Sequence, residues 1–169
     1  MAAVAYWRQG KEKEARRLWQ KALDLQPGFD LAQQQLKDLE QPPARRNGVF
    51  AFPLKVWVTE SVIRELTRTV EPAARRKQEN AIQIATDQFL QRHPELVSIA
   101  PHLLQRGDTL GRDFVINLTG MSHHPQLLEA IKDFALGQRG TDNQRMKASQ
   151  IVSEAGLLPS GATRMWMQG

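Results

Sequence analysis

The sequence predicts an all-α protein, an α-solenoid of helical hairpins with a small two-stranded β ribbon. Three observations carry this prediction. Over most of the chain, apolar residues recur at the three- and four-residue intervals of one helix face. A segment near the start has the spacing of a helix-turn-helix repeat. Two later segments repeat each other at an interval of 33 residues, which indicates two equivalent helical hairpins.

Composition is that of a globular protein and excludes several kinds of site. The chain has 169 residues, enough for one domain or two small ones, with 41% hydrophobic and 24% charged residues. No apolar run approaches the ~20 residues of a membrane-spanning helix, and the N-terminus lacks the basic and apolar regions of a secretion signal. The absence of cysteine excludes disulfides, thiolate metal ligands and cysteine nucleophiles. These features predict a cytoplasmic protein without a membrane partner.

The net charge of +5 is spread thinly along the chain. Segments 1–40, 41–71, 72–105 and 106–169 each carry an excess of only one or two positive charges. A nucleic-acid-binding protein usually concentrates its basic residues in a patch or stripe, so this distribution argues against nucleic acid as the partner. The clusters at 45–46 (Arg45 and Arg46) and 75–77 (Arg75, Arg76 and Lys77) are interpreted as solvated surface. They remain the basis of an alternative, a nucleic-acid-binding helical-repeat protein.

Residues 1–40 predict two helices, 2–9 and 12–25, around Gly10, and a further helix over 31–39. The apolar residues of the second helix follow one face, at Ala15, Leu18, Trp19, Ala22 and Leu25. The two alanines allow a neighbouring helix to approach closely, and Trp19 is predicted to fill the space between them. Pro27 cannot continue the helix and ends it.

This segment resembles the tetratricopeptide repeat, on the residues Tyr6, Ala15, Trp19, Ala22 and Pro27. The resemblance covers residues 2–29 and continues weakly to 39, and the repeat is incomplete because its first positions would precede Met1. What it implies is the binding of another protein or peptide, with self-association through the incomplete repeat as a further expectation. Carried over to this chain, the partner-binding positions are Val4, Trp7, Arg8 and Gln34.

Residues 41–58 are predicted to form a linker followed by an extended segment. The linker contains two prolines and an Asn-Gly pair, and the segment Val49–Val58 alternates bulky apolar residues. A second segment of this kind, Thr163–Gln168, lies in the tail, residues 159–169. The two are predicted to pair as an antiparallel ribbon.

Residues 59–158 predict a domain of helical hairpins. Pro72 is expected to end a first short helix, and a longer helix is expected over residues 73–92. Pro94 and Pro125 each stand at the first position of a predicted helix. Thr141, followed by a glutamine three residues later, predicts a capping box for the last helix.

Two hairpins of this domain repeat each other. Each has a proline-started helix, an Arg-Gly turn and a second helix with an arginine in its first turn, so that Gly107 and Gly140, and Arg112 and Arg145, are 33 residues apart. The pattern resembles HEAT-type hairpins. The resemblance implies that an aspartate of the turn and the arginine brace each hairpin, as pairs of Asp108 with Arg112 and of Asp142 with Arg145.

No pattern of side chains predicts catalysis. The histidines, His93, His102, His123 and His124, lack the spacing of zinc ligands and are interpreted as cap and turn residues. Phosphate-binding glycine loops, nucleophile elbows and paired catalytic carboxylates are missing from the sequence. The sequence therefore predicts a non-catalytic protein–protein interaction scaffold or adaptor, without a cofactor or metal. A structural segment of a longer chain is the remaining alternative.

Overall fold

The described part of the chain is all-helical. A computed structural model describes residues 2–49, 52–75, 79–158, 165 and 167, and no strand forms within them. The helices are α1 (Ala2–Arg8), α2 (Glu12–Leu25), α3 (Asp30–Leu39), α4 (Leu54–Trp57), α5 (Glu60–Arg75), α6 (Glu79–Arg92), α7 (Pro94–Arg106), α8 (Thr109–Ser122), α9 (Pro125–Leu136) and α10 (Asp142–Glu154).

The first three helices share a small core of their own. Helix α2 packs against α1 and α3, and the buried side chains are Ala3, Val4, Ala15, Trp19, Ala32 and Leu39. Ala15 and Ala32 are completely buried, and Trp19 is 3% exposed, as its place between two alanines predicts. Leu25, expected on the same face, is 79% exposed, because the 7-residue α1 covers only part of the 14-residue α2.

The remaining helices surround a larger core. Helix α5 packs on α6, α6 on α8, α7 on α9, and α8 on α10, while α7 and α8, and α9 and α10, also contact each other. The most deeply buried apolar side chains in this core are Phe89, Ala100, Leu103, Ile116, Leu127, Ile131, Ala135, Ala148 and Val152, all at 0% exposure.

Local capping explains where the later helices begin. Pro94 and Pro125 open α7 and α9, where the missing proline N–H would have had no helical acceptor. The Asp108 carboxylate accepts the Gly111 N–H at 2.8 Å and caps α8. Thr141 and Gln144 form the predicted capping box of α10. Each side-chain cap stabilises its helix by ~1 kcal/mol.

The prediction that Pro72 ends a helix is wrong. Helix α5 runs from Glu60 through Pro72 to Arg75. Val70 and Ala73, on either side of the proline, are both buried at 8% exposure, so tertiary packing holds the last turn in place. Packing therefore outweighs the hydrogen bond that the proline removes.

The two repeated arginines occupy the same position of their helices. Arg112 is the fourth residue after the N-cap Asp108, and Arg145 is the fourth after the N-cap Thr141. Both are buried, at 1% and 0% exposure.

Their hydrogen-bond partners differ. Arg145 pairs with Asp142, as predicted, and donates to the Gly140 carbonyl at 2.8 Å. Arg112 makes no ion pair with Asp108, because that carboxylate accepts backbone N–H groups. Arg112 donates instead to the carbonyl of Leu104 at 3.1 Å and to that of Asn47.

The glycines of the two turns are needed for different reasons. Gly140 has φ +74°, which favours glycine, and a Cβ there would lie 2.6 Å from Phe134 Cζ. Gly107 has an ordinary φ of −73°, but a Cβ there would lie 2.5 Å from the Leu103 carbonyl oxygen. The two repeated glycines therefore have different backbone conformations, although their sequence contexts are alike.

The prediction of an extended segment over Val49–Val58 is wrong for residues 54–57. Leu54–Trp57 is a helical turn, and Pro53 precedes it as an extended N-cap residue. The backbone N–H of Leu54 donates to the Asp108 carboxylate at 3.1 Å, so it is not available to a strand partner. Phe52 contributes an isolated parallel bridge to Gly107. The opposite half of the expected ribbon, Thr163–Gln168, lies outside the described residues except for positions 165 and 167.

Candidate binding clefts

The four predicted partner-binding residues line three separate clefts. Trp7 and Arg8 line the first, Val4 lines the second and Gln34 lines the third. Val4 is buried at 5% exposure in the small core. Trp7 is half-buried, with its ring centroid 6.4 Å from that of Trp19, and Arg8 next to it is exposed. Gln34 is exposed on α3, in a third cleft of about 620 Å³ whose lining carries both charge signs. The structure therefore brings Trp7 and Arg8 together and separates Val4 and Gln34 from them.

The first cleft, here called the arginine cleft, lies where the two cores meet. Its volume is about 480 Å³, and its lining residues are Trp7, Arg8, Pro43, Arg46, Asn47, Gly48, Val49, Gln105, Arg112, Gln138, Arg139 and Gly140. Four of these carry a positive charge, and no aspartate or glutamate lines the cleft among the described residues. The cleft is therefore strongly cationic.

The linker contributes Arg46 to this cleft as a structural residue. Its Nε donates to the Gln41 carbonyl at 2.8 Å and its Nη2 to the Leu39 carbonyl at 2.9 Å, at the carbonyl end of α3. Its Nη1 lies 3.5 Å from the Glu12 carboxylate. Arg46 therefore caps α3 and holds the linker against the first core.

The second domain contributes Arg112 and Arg139. Burial, and to a smaller extent the positive charge of Arg139, lower the pKa of Arg112 to about 10. At neutral pH Arg112 is still protonated. Arg139 is exposed, and its Nη1 donates to the Gln105 carbonyl at 2.7 Å.

Helix α1 contributes Arg8 at its last turn. Partial burial lowers the pKa of Arg8, as do the positive charges of Arg139 and Arg106. Arg106 and Arg139 therefore lie close enough to Arg8 to repel its charge.

The second cleft, here called the apolar cleft, is formed by α1, α2 and the start of α3. It has a volume of about 420 Å³, and every residue that lines it is apolar: Ala2, Ala3, Val4, Leu18, Trp19, Ala22, Phe29, Leu31, Phe52 and Pro53. Phe29 and Phe52 are 38% and 40% exposed. The cleft presents aromatic and aliphatic surface to the solvent.

The described residues of the two basic clusters have different surroundings. Arg45 is exposed and lines the third cleft, whereas Arg46 is held by the contacts described above. The Nη2 atom of Arg75 lies 2.5 Å from the Glu71 carboxylate, and residues 76 and 77 lie outside the described part. Arg46 and Arg75 are thus engaged with partners of their own, and Arg45 lines the third cleft.

The histidines occupy cap and helix positions. His93 precedes α7 as its N-cap residue, His124 precedes α9, and His123 ends α8 in the left-handed conformation at φ 52°. His102 is exposed on α7. Within the described ranges, no three His, Asp or Glu side chains converge as metal ligands would.

The sequence contained one signal for the arginine cleft that periodicity does not use. The tripeptide Gln-Arg-Gly occurs at 105–107 and again at 138–140, at the two hairpin turns. Both glutamines and Arg139 line the cleft, and Arg106 lies within electrostatic range of Arg8. The hairpin pattern assigns these turns a structural role, and for that reason it does not identify Arg106 and Arg139 as candidate binding residues.

The chain was compared with known proteins. The comparison finds no matching family model, no matching curated protein and no matching solved structure. In the ranges that the structure describes, every helix is too short or too polar to traverse a lipid bilayer.

Proposed function

We propose that this protein is a non-catalytic scaffold or adaptor of the helical-repeat type, which binds another protein through the apolar cleft. Its first hairpin is of the tetratricopeptide type, and its later hairpins are HEAT-like units of a small α-solenoid. The partner contributes apolar side chains of a helix or an extended segment.

The packing of the later helices supports the repeat architecture. Successive hairpins contact each other helix to helix, first with first (α7 with α9) and second with second (α8 with α10). A buried arginine stands at the fourth helical position in both second helices. Stacked hairpins of this kind expose elongated surfaces that bind other proteins.

The observation that carries the proposal is the apolar cleft. Among the described residues its lining contains no polar side chain, and two of its aromatic residues, Phe29 and Phe52, are 38% and 40% exposed. Exposed aromatic side chains around an apolar depression are typical of the central part of protein interfaces. Val4, one of the residues that the tetratricopeptide resemblance implies, lines this cleft.

The experiment compares proteins captured by the wild type with those captured by two double variants. Phe29→Ser with Phe52→Ser removes both rings at the rim of the cleft. Leu25→Ser with Ile84→Ser removes two aliphatic side chains that are 79% and 58% exposed and do not line it. We expect the first variant to lose a specific partner under conditions in which it remains folded, while the control variant retains it.

Two results would contradict the proposal. One is that the Phe29 and Phe52 variant captures the same proteins as the Leu25 and Ile84 control variant. The other is a concentration-dependent mass of the purified protein that the Phe29 and Phe52 substitutions abolish, since the cleft would then be occupied by a second copy of this chain.

A further inference from the structure

Three arginines of the arginine cleft and its edge lie close together without a partner of opposite charge. Arg8, Arg106 and Arg139 form no ion pair within the described ranges, and the one hydrogen bond among them joins Arg139 to a backbone carbonyl. Other arginines of this protein are paired, for example Arg64 with Glu60 at 3.2 Å. Clustered like charges cost free energy unless a counter-ion is bound.

A buried arginine adds a prepared donor to the same cleft. Arg112 is 1% exposed and lines the cleft. Its Nε and Nη1 atoms are held by the carbonyls of Leu104 and Asn47, which fixes the plane of the guanidinium group. Its Nη2 atom donates to no protein atom in the described part of the chain. A rigid guanidinium with one unused edge is a ready hydrogen-bond donor for a ligand.

The carboxylates nearest to Arg112 lie outside the cleft. Asp38, Asp108 and Asp113 act on its charge. Asp38 accepts the N–H groups of Asn47 and Gly48, and Asp108 accepts that of Gly111. Asp113 accepts a side-chain N–H of Gln144. These carboxylates are already hydrogen-bonded, and none of them lines the arginine cleft.

The origin of the donors favours one class of anion. The guanidinium groups belong to α1, to the last residue of α7, to α8 and to the turn after α9, so the donors come from four different parts of the fold. A planar carboxylate has two oxygens in one plane, whereas a tetrahedral phosphate presents oxygens in all directions and carries up to two charges at neutral pH. Arginine is suited to this geometry because it can donate two parallel hydrogen bonds.

We propose that the arginine cleft binds the phosphate group of a small phosphorylated molecule, held by Arg8, Arg112 and Arg139. Arg106 adds positive charge at the edge. The volume of about 480 Å³ is in the usual range for small-molecule sites and leaves space beside the phosphate for the rest of the ligand. The half-buried Trp7 ring borders that space and offers apolar surface to it. The proposal does not depend on the apolar cleft or its partner.

The test is calorimetric titration of the full chain with inorganic phosphate, phenyl phosphate and acetate at constant ionic strength. The cleft variant is Arg8→Gln with Arg139→Gln. The matched control is Arg17→Gln with Lys21→Gln, which removes the same charge from exposed positions of α2.

We expect phosphate to bind the wild type and the control alike. The cleft variant should bind at least about tenfold more weakly, as the loss of charge-assisted hydrogen bonds predicts. Phenyl phosphate should bind more tightly than phosphate, and Trp7→Leu should abolish that difference.

A stability measurement keeps the test decisive. Without added anion, the cleft variant should melt no lower than the wild type, because it removes repulsion. Phosphate should raise the melting temperature of the wild type and of the control, but not that of the cleft variant. The proposal is overturned if phosphate stabilises all three proteins equally, since that would be general screening of charge. It is also overturned if acetate binds as tightly as phosphate, or if the cleft variant binds phosphate with wild-type affinity.

Discussion

Arg112 Nη1 donates to the backbone carbonyl of Asn47, which lies 65 residues earlier in the chain. Asn47 belongs to the linker, and its own backbone N–H donates to Asp38 of α3 at 2.8 Å. The linker is therefore tied to the first core by Asp38 and to the second by Arg112. One buried guanidinium both braces its own hairpin and joins the two halves of the molecule.

Replacing Arg112 with methionine should lower the free energy of unfolding by ~2–4 kcal/mol. The reason is that the carbonyls of Leu104 and Asn47 both lose their donor, and unsatisfied buried polar groups cost ~1–3 kcal/mol each. Arg145→Met, at the equivalent position, should cost a similar amount. Urea denaturation measures both.

Limited proteolysis distinguishes the structural role of Arg112 from that of Arg145. Cleavage in the linker, residues 40–53, should become faster in Arg112→Met and stay unchanged in Arg145→Met under conditions in which both remain folded. The reason is that Arg112 holds the Asn47 carbonyl, whereas the hydrogen bonds of Arg145 go to Arg139, Gly140 and Asp142. Equal cleavage in the two variants would show that Arg112 does not join the two halves.

Trp19→Ala should destabilise the first three helices by ~3–5 kcal/mol, as expected for removal of a large buried aromatic. The indole is 3% exposed and packs against Trp7 at a centroid distance of 6.4 Å. Leu25→Ala, at a 79% exposed position of the same helix, should change stability by no more than ~0.5 kcal/mol. Thermal and urea unfolding measure the two effects. A Trp19→Ala variant as stable as Leu25→Ala would remove the indole from the core.

Stability should decrease as the pH rises above 6.5, through His93. The hydrogen bond from its ring to Glu95, at 2.9 Å, raises the pKa of His93 above 6.5, as does the one to Glu65 at 3.1 Å. A raised pKa in the folded state means that the folded protein binds the proton more tightly than the unfolded chain. The stabilisation is complete below pH 6.5 and is lost as the pH rises through the folded-state pKa.

Urea denaturation between pH 5.5 and 8.5 measures this dependence on His93. His93→Gln should flatten the decrease, while His102→Gln, on the exposed face of α7, should preserve it. A decrease that persists in His93→Gln would assign it to other groups.

Gly140→Ala should be more destabilising than Gly10→Ala. Both glycines have positive φ, +74° and +75°, where an alanine costs ~1 kcal/mol. A Cβ at Gly10 meets no atom within 4 Å, whereas one at Gly140 lies 2.6 Å from the Phe134 ring. The additional steric strain brings the expected cost at Gly140 to ~2–4 kcal/mol. Equal melting temperatures for the two variants would contradict the contact with Phe134.

Much of the local structure follows from residues close together in the chain. The proline starts of α7 and α9, the capping box at Thr141 and the burial of Trp19 could be predicted because each depends on neighbours within a few positions. Part of the candidate site was also accessible, since the tetratricopeptide resemblance implies Trp7 and Arg8, and both line the arginine cleft.

The sequence by itself determined that the described chain is helical and where most of its helices begin, because periodicity and capping depend on the backbone of each helix alone. Tertiary structure decided which distant residues meet. It carries α5 past Pro72 by burying Val70 and Ala73, and it turns residues 54–57 into a helix by directing the Leu54 N–H to Asp108. It also brings Arg8 and Arg139 together across 131 positions. Such contacts depend on how whole helices pack, and no local pattern of residues encodes that arrangement.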